Sequence, residues 1–94
     1  MLKSSFVGYK IEFAVQAKKD LKKIDKPQLK KINQKLEGLV SSDFNQDIKK
    51  LEGTTESIYR MRVGDYRVVF QVKHNVITIL VIGIAHRKQV YRRY

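Results

Sequence analysis

Cysteine is absent from the 94-residue sequence. Disulfide bonds and thiolate metal sites are therefore excluded, and the chain has to fold on its hydrophobic core alone. Apolar residues make up 43% of the sequence, which suits one modest core in a chain of this length. We therefore expect a single domain over residues 1–94. A domain without disulfides also fits the cytoplasm, where thiols are kept reduced.

Long apolar runs are missing as well. Residues 1–13 contain no apolar stretch long enough for a secretory signal. The longest apolar run covers residues 76–85, is interrupted by Thr78, and is shorter than the roughly 20 residues that cross a bilayer. We therefore expect no membrane-spanning segment.

Acidic residues are scarce, with nine Asp and Glu against 20 Lys and Arg, and the net charge is +11. A domain this basic usually binds a polyanion, although a lysine-rich surface is also compatible with the charge. All ten basic residues up to Lys35 are lysines, whereas all six arginines follow from Arg60 onward. Because arginine grips phosphate with a planar fork and lysine acts as a solvated point charge, the C-terminal half is the better candidate for a site.

Apolar spacing predicts the secondary structure. Residues 9–13 alternate as a short strand, and Ala17, Leu21 and Ile24 then recur at helical spacing. Pro27 suits the first turn of a second helix, which continues through Leu29 and the apolar positions up to residue 40. Narrow apolar stripes favour packing of both helices on a sheet over binding to a membrane surface.

Three further strands are predicted over residues 58–63, 66–73 and 76–84. Two-residue turns at 64–65 and 74–75 separate them, which is the length of a tight hairpin. The residues from His86 onward are expected to form one or two helical turns. The predicted fold is α+β: a two-helix hairpin packed on one face of a mainly antiparallel four-stranded sheet, with a short C-terminal helical tail.

The turn at 64–65 predicts an arginine cluster. It places Arg62 opposite Arg67 with Arg60 beside them, while alternation sends Met61, Val68 and their apolar neighbours to the helix-covered face. Like charges directly across two strands destabilise a sheet, and such local conflicts concentrate at functional sites. The pattern therefore favours an anion-binding face over an incidental basic surface, with Leu80 and Ile82 as an apolar floor.

Other catalytic groups are few. The sequence has no glycine-rich phosphate loop, and its two histidines, His74 and His86, show no metal-ligand spacing. We expect no metal and no cofactor, so that catalysis would depend on charge. Cleavage of RNA by its own 2′-hydroxyl suits such a site, because it needs phosphate positioning, charge neutralisation and proton transfer. His86, Arg87 and Tyr91 are expected to turn back over the arginine face.

The sequence resembles the RelE/ParE toxin superfamily over nearly its whole length. The resemblance rests on the opening strand, the lysine-rich helices, the segment YRMRVGDYRVVF from Tyr59 and the segment HRKQVY from His86. It implies a RelE-type mRNA interferase of a type II toxin–antitoxin system. The implied partners are a RelB-like antitoxin, mRNA and the ribosome, with cleavage in the ribosomal A site.

The resemblance also implies roles for individual residues. Arg67 matches an arginine that holds the scissile phosphate, and Tyr91 matches a tyrosine that orients the nucleotide. Arg60 and Arg62 stand where well-studied members have lysines, and Arg87 matches a further basic residue. Because arginine is a poor proton acceptor, His86 is the first candidate for the general base and Tyr91 the second. The predicted catalytic set is Arg60, Arg62, Arg67, His86, Arg87 and Tyr91. The predicted RNA- and ribosome-binding set is Lys18, Lys19, Lys22, Lys23, Lys49, Lys50 and Lys73.

Two other functions are open to the sequence. A ParE-like inhibitor of DNA gyrase would share the fold and cleave nothing, but members of that class generally lack a complete basic and tyrosine site. A simple nucleic-acid-binding module would need aromatic side chains on the charged face for base stacking, and the predicted strands place none there.

Overall fold

A computed structural model describes residues 6–41, 48–51 and 57–88. The elements are, in chain order, β1 (Lys10–Phe13), α1 (Val15–Leu21), α2 (Lys26–Ser41), β2 (Ile48–Lys50), β3 (Ile58–Val63), β4 (Tyr66–Lys73) and β5 (Thr78–His86). The strands form one sheet in the order β1-β5-β4-β3-β2. β1 runs parallel to β5, and the other neighbouring pairs are antiparallel.

The helices begin and end close to the positions that the apolar spacing predicts. Pro27 lies in the first turn of α2, where its missing N–H removes no helical hydrogen bond. Ala14 precedes α1 and makes no side-chain capping bond, as its methyl group dictates. The α+β class and the helix pair are confirmed.

One face of the sheet packs against both helices. Ile32 and Leu36 of α2 are fully buried with Met61, Val68 and Phe70 in a single cluster. Further members of that cluster are Ala17 of α1, Ile24 between the two helices, Leu39 of α2, and Val63, Val72, Ile79, Val81 and Ile84 of the sheet. Burying this many aliphatic side chains supplies the main stabilisation of a small domain, at about 25 cal/mol for each Å² of apolar surface removed from water.

The sheet has five strands, so the prediction of four was wrong. β2 pairs antiparallel with the outer edge of β3, with Lys49 opposite Arg60. Its three residues are too few to show a periodic pattern, because period-2 alternation needs at least four.

The connection between β4 and β5 also differs from the predicted two-residue turn. Residues His74–Val76 form a 3₁₀ turn, and Ile77 follows with φ 49° and ψ 54° before β5 starts at Thr78. β5 then extends to His86, two residues beyond the predicted end. The predicted helical tail therefore does not begin at His86, and residues 89–94 lie outside the described part of the chain.

Asp20 links α1 to β5. Its Oδ2 accepts a hydrogen bond of 2.8 Å from the backbone N–H of Ile84, and its Oδ1 accepts one of 2.9 Å from Gln16. Ile84 follows an irregularity in which Val69 pairs with Gly83 and Phe70 with Val81, so that Ile82 is the extra residue of β5. The carboxylate thus satisfies a strand N–H beyond the end of β1.

We expect Asp20→Ala to lower the free energy of unfolding by about 1–3 kcal/mol, because it leaves the part-buried N–H of Ile84 without a hydrogen-bond acceptor. Urea unfolding followed by circular dichroism measures this change. Glu12→Ala is the matched control, since Glu12 is exposed on β1 and its loss changes the net charge equally. Equal effects of the two substitutions would mean that charge, and not the hydrogen bond, governs the result.

Candidate active site

The β3–β4 hairpin brings the arginines together. Gly64 has φ 58°, a conformation that favours glycine, and with Asp65 it makes the tight turn that sets the register. Arg62 pairs directly with Arg67, and Arg60 lies one row further along the same face. Neighbouring side chains on one face of an antiparallel sheet start about 5–8 Å apart, so the three guanidinium groups can converge on one anion. The predicted register is confirmed.

Arg60 lies in the interior of this face. It is half-buried between Lys49 of β2 and Val69 of β4, and its Nε is buried without a hydrogen-bond partner. A buried donor without an acceptor costs about 1–3 kcal/mol. An oxyanion that reached Nε would supply the missing acceptor, which makes Arg60 a candidate anion ligand on this face.

The side chains beneath the arginines are apolar, and several of them are buried. Val69 is completely buried and Ile58 nearly so, although both lie outside the cluster that packs against the helices. Leu80 pairs with Gln71 and therefore lies on this face, as predicted, whereas Ile82 occupies the bulge. Charges next to buried apolar side chains lie in a lower dielectric, so they interact more strongly with a ligand than they would in open solvent.

Among the described residues, acids contribute little to this face. Glu12 lies at the distant β1 edge, in register with Leu80. Asp65 is exposed in the hairpin turn. Lys49 adds a fourth positive charge directly beside Arg60. Four cations with so few nearby carboxylates make the face strongly electropositive.

Arg87 is held at the same end of the sheet. The backbone N–H of Arg87 donates a 2.6 Å hydrogen bond to the backbone carbonyl oxygen of Asp65, and the side-chain Nε of Arg87 lies 3.7 Å from Asp65 Oδ1. Both side chains are more than 60% exposed, so the ion pair itself contributes little to stability. The backbone bond fixes the chain leaving β5 against the hairpin turn, and this places Arg87 close to the row of Arg62 and Arg67.

His86 lies on the other face, contrary to the expectation that it would close the arginine cluster. It pairs with Tyr66 across β4 and β5, and the two rings meet edge to face at 5.3 Å between centroids. Tyr66 belongs to the helix-covered face, where it packs against the core. Because β5 stays extended up to His86, the side chain follows strand alternation instead of folding back.

The predicted binding lysines do not form one surface. Lys49 adjoins Arg60, Lys50 pairs with Tyr59 and points to the other face, and Lys73 is at the far end of the arginine face. The lysines of α1 and of the turn after it are exposed on the helical side of the molecule: Lys18, Lys19, Lys22 and Lys23. Tyr91 lies outside the described residues.

The sequence interpretation missed the position of one contributor to the site and the role of another, since Lys49 was counted among the RNA-binding lysines but not placed beside Arg60. Lys49 is beside Arg60 only because β2 joins the sheet, and a three-residue strand leaves no readable pattern. Asp65 was treated as a turn residue alone. Its role in holding Arg87 depends on contact between a hairpin and the end of a later strand, which spacing along the chain does not reveal.

Two further findings bear on the class of protein. No helix in the described ranges is both long and apolar enough to cross a bilayer. Within those same ranges, no three His, Asp or Glu side chains gather as a set of metal ligands.

Comparison with known proteins defines the family. The sequence profile of the ParE toxin of the type II toxin–antitoxin system parDE matches residues 11–91. Toxin RelE3 of Methanocaldococcus jannaschii is 37% identical over 86 residues, which cover 87% of this chain and 94% of that protein.

Solved structures agree with this relationship. The RelB–RelE antitoxin–toxin complex from Methanococcus jannaschii matches with a TM-score of 0.72 and 32% identity, covering 88% of this chain and 98% of that one. The archaeal RelE–RelB complex from Pyrococcus horikoshii matches with a TM-score of 0.70 and 26% identity, covering 87% and 98%. The chain belongs to the ParE toxin family of type II toxin–antitoxin systems and, within that family, to the RelE toxins.

Proposed function

We propose that this RelE toxin is a metal-independent endoribonuclease that cleaves mRNA in the ribosomal A site, in the cytoplasm, and that a RelB-like antitoxin holds it inactive. The observation that carries the nuclease proposal is the arginine face: Arg62 against Arg67, with the unpartnered Nε of Arg60 beside them. The antitoxin partner is supported by the RelB chains bound to the related toxins.

The proposed reaction uses the 2′-hydroxyl of the mRNA as the nucleophile. A base takes the proton of this hydroxyl, and the 2′-oxygen attacks the adjacent phosphorus. The bond from phosphorus to the 5′-oxygen breaks, that oxygen takes up a proton and leaves as a hydroxyl, and a 2′,3′-cyclic phosphate remains. Arg67 and Arg62 hold the phosphate and neutralise the charge that grows on its oxygens, while Arg60 supplies a further donor. The buried apolar floor at Val69 strengthens these interactions.

Proton transfer needs a different group. Arginine stays protonated in proteins, so the three strand arginines cannot act as the base. The position of His86 on the helix-covered face removes the support for its role as base. We therefore assign proton transfer to Tyr91, the second candidate from the sequence, with Arg87 beside the leaving group.

We expect His86→Gln to leave the single-turnover cleavage rate within about twofold of the wild-type rate, since loss of a general base would slow it by about 10²–10⁴-fold. Cleavage is measured with excess toxin on ribosomes carrying a defined A-site codon. Tyr91→Phe serves as the comparison and should lose most of the rate. A large loss in His86→Gln would return the histidine to the catalytic set.

The ribosome requirement is tested by primer extension on a reporter mRNA in a reconstituted translation system. Cuts within translated codons that disappear when ribosomes are omitted would support the proposal.

The exposed lysines on and after α1 are proposed to dock on ribosomal RNA, together with Lys49, Lys50 and Lys73, because phosphate contacts supply most non-specific affinity.

Inhibition of DNA gyrase is the second candidate, because the matching family profile is that of the ParE toxins. The arginine face argues for the nuclease, since a gyrase inhibitor has no need for converging phosphate ligands. A supercoiling assay separates the two functions. Loss of gyrase activity at toxin concentrations that leave mRNA intact would favour the inhibitor.

A further inference from the structure

The turn between β4 and β5 breaks two local rules at one residue. Ile77 has φ 49°, a left-handed conformation that is strained for a β-branched side chain, and that side chain is 52% exposed. Asparagine or glycine would suit both the backbone and the solvent at this position. An exposed, strained isoleucine is therefore difficult to explain by folding alone, and such outliers concentrate where a protein makes functional contacts.

The turn is held firmly in this conformation. Tyr9 Oη and His74 Nδ1 are 2.8 Å apart, and their rings meet edge to face at 5.9 Å. Thr78 Oγ1 donates a 2.8 Å hydrogen bond to the carbonyl oxygen of Val76, and Lys10 N–H donates one of 2.9 Å to the carbonyl oxygen of Ile77. These contacts hold the backbone of the turn in place, so that a partner would bind it with little ordering of the chain.

Ile77 forms an apolar turn patch with its neighbour in the chain, and we define the patch as Val76 and Ile77. Both residues are about half exposed, and among the described residues Val7 and Val15 are the other large aliphatic residues with comparable or greater exposure. Two lysines border the turn. Lys10 on β1 and Lys73 on β4 both pair with Thr78, the first residue of β5, one from each neighbouring strand. The surface thus combines aliphatic side chains with two flanking positive charges.

Three classes of partner can be compared with the chemistry of the apolar turn patch: nucleic acid, a second copy of the chain and an acidic protein segment. Nucleic acid would use aromatic side chains for stacking, and the patch is aliphatic. A second copy of the chain would bring its own lysines and its net charge of +11 against the same surface. An acidic protein segment that carries an aliphatic anchor satisfies both the apolar and the charged parts of the patch.

We propose that the apolar turn patch is an anchor site for an acidic, aliphatic segment of the antitoxin. This inference rests on the antitoxin partner proposed above. The length of β4 separates the patch from Arg67 by about 20 Å, so the contact lies at the end of the sheet opposite to Arg67, although Lys73 at its border shares the face of Arg67. The antitoxin holds the toxin here by a contact that is separate from any cover over the active site.

The test is the affinity of Ile77→Asn for the purified cognate antitoxin, measured by calorimetry. We expect the Kd to rise about tenfold, because half an isoleucine side chain no longer becomes buried. The melting temperature of the free toxin should be equal to or higher than that of the wild type, because asparagine tolerates positive φ. Cleavage by the free toxin should not change. Ile77→Gly repeats the test should the asparagine variant fail to fold.

Val15→Asn is the matched control. Val15 is 69% exposed on α1, away from the turn, and its substitution should leave the Kd unchanged. Lys10→Glu tests the charged border, and we expect it to raise the Kd by a factor that shrinks in high salt. Wild-type affinity in Ile77→Asn, or equal losses in Ile77→Asn and Val15→Asn, would overturn the inference.

Other occupants give distinct results. Self-association of the wild-type toxin that Ile77→Asn abolishes in sedimentation would assign the apolar turn patch to a second copy and overturn the inference. Weaker ribosome binding by Ile77→Asn with unchanged antitoxin affinity would overturn it as well. Failure of the wild-type toxin to bind the antitoxin at all would instead contradict the proposed partner.

Discussion

Arg67→Ala is expected to slow single-turnover mRNA cleavage by about 10²–10³-fold. Arg67 sits at the centre of the candidate site, opposite Arg62 on β3 and opposite Ala85 on β5. Removing its guanidinium takes away the fork that can bind two phosphate oxygens at once. The measurement uses excess toxin on programmed ribosomes, so that product release does not limit the rate.

The same substitution should spare the fold. Arg67 faces away from the cluster that packs against the helices, and it lies across from a residue of like charge. Like charges opposite each other on two strands cost about 0.2–1 kcal/mol, which offsets the loss of other contacts. We therefore expect the free energy of unfolding to stay within about 1 kcal/mol of the wild-type value.

Two comparison variants sharpen this prediction. Arg67→Lys keeps the charge but loses the planar fork, so it should retain part of the rate. Gln71→Ala lies on the same strand and face, closer to the far end, and should retain nearly all of it. Wild-type cleavage by Arg67→Ala would contradict the assignment of the site, and a large loss of stability would assign the arginine a structural role.

The sequence allowed the arginine face to be predicted because one turn determines its geometry. With Gly64 in the left-handed region, the register of β3 against β4 follows, and alternation assigns every side chain of the hairpin to a face. The helices were predictable for a similar reason. Their apolar positions repeat with the helical period over enough residues to be recognised, from Leu29 to Val40.

The end of β5 was not predictable in this way. The bulge at Ile82 and the extension to His86 decide which face each later side chain occupies, and neither leaves a signal in the local sequence. The hydrogen bond from Ile84 to Asp20 forms between residues 64 positions apart. His86 was therefore assigned to the wrong face, although the register of β3 against β4 was predicted correctly.

Phe70→Ala is expected to cost about 3–5 kcal/mol of the free energy of unfolding. Phe70 is completely buried on the helix-covered face of β4, opposite Val81. Its ring stacks on Tyr59 at 5.7 Å between centroids and 14° between planes. Alanine would leave a cavity that the neighbouring strands cannot fill, because sheet hydrogen bonds hold their backbones apart.

A loss of this size removes much of the stability of such a domain, since chains of this length are stable by only about 5–15 kcal/mol. Urea unfolding at 25 °C followed by circular dichroism measures it. Phe70→Leu should cost less, because leucine fills part of the space, and Val15→Ala should be nearly neutral because Val15 is exposed. Equal unfolding midpoints for Phe70→Ala and Val15→Ala would contradict the placement of the core.

The cleavage rate of Phe70→Ala distinguishes a defect in the core from a defect in the arginine face. Because Phe70 touches the helix-covered core and Arg67 the arginine face, the two substitutions should fail in different ways. Phe70→Ala should lose activity only in proportion to the unfolded fraction, so that its rate per folded molecule stays near the wild-type rate. Arg67→Ala should remain folded and lose that rate. A slow rate per folded molecule in Phe70→Ala would mean that the core also sets the geometry of the arginines.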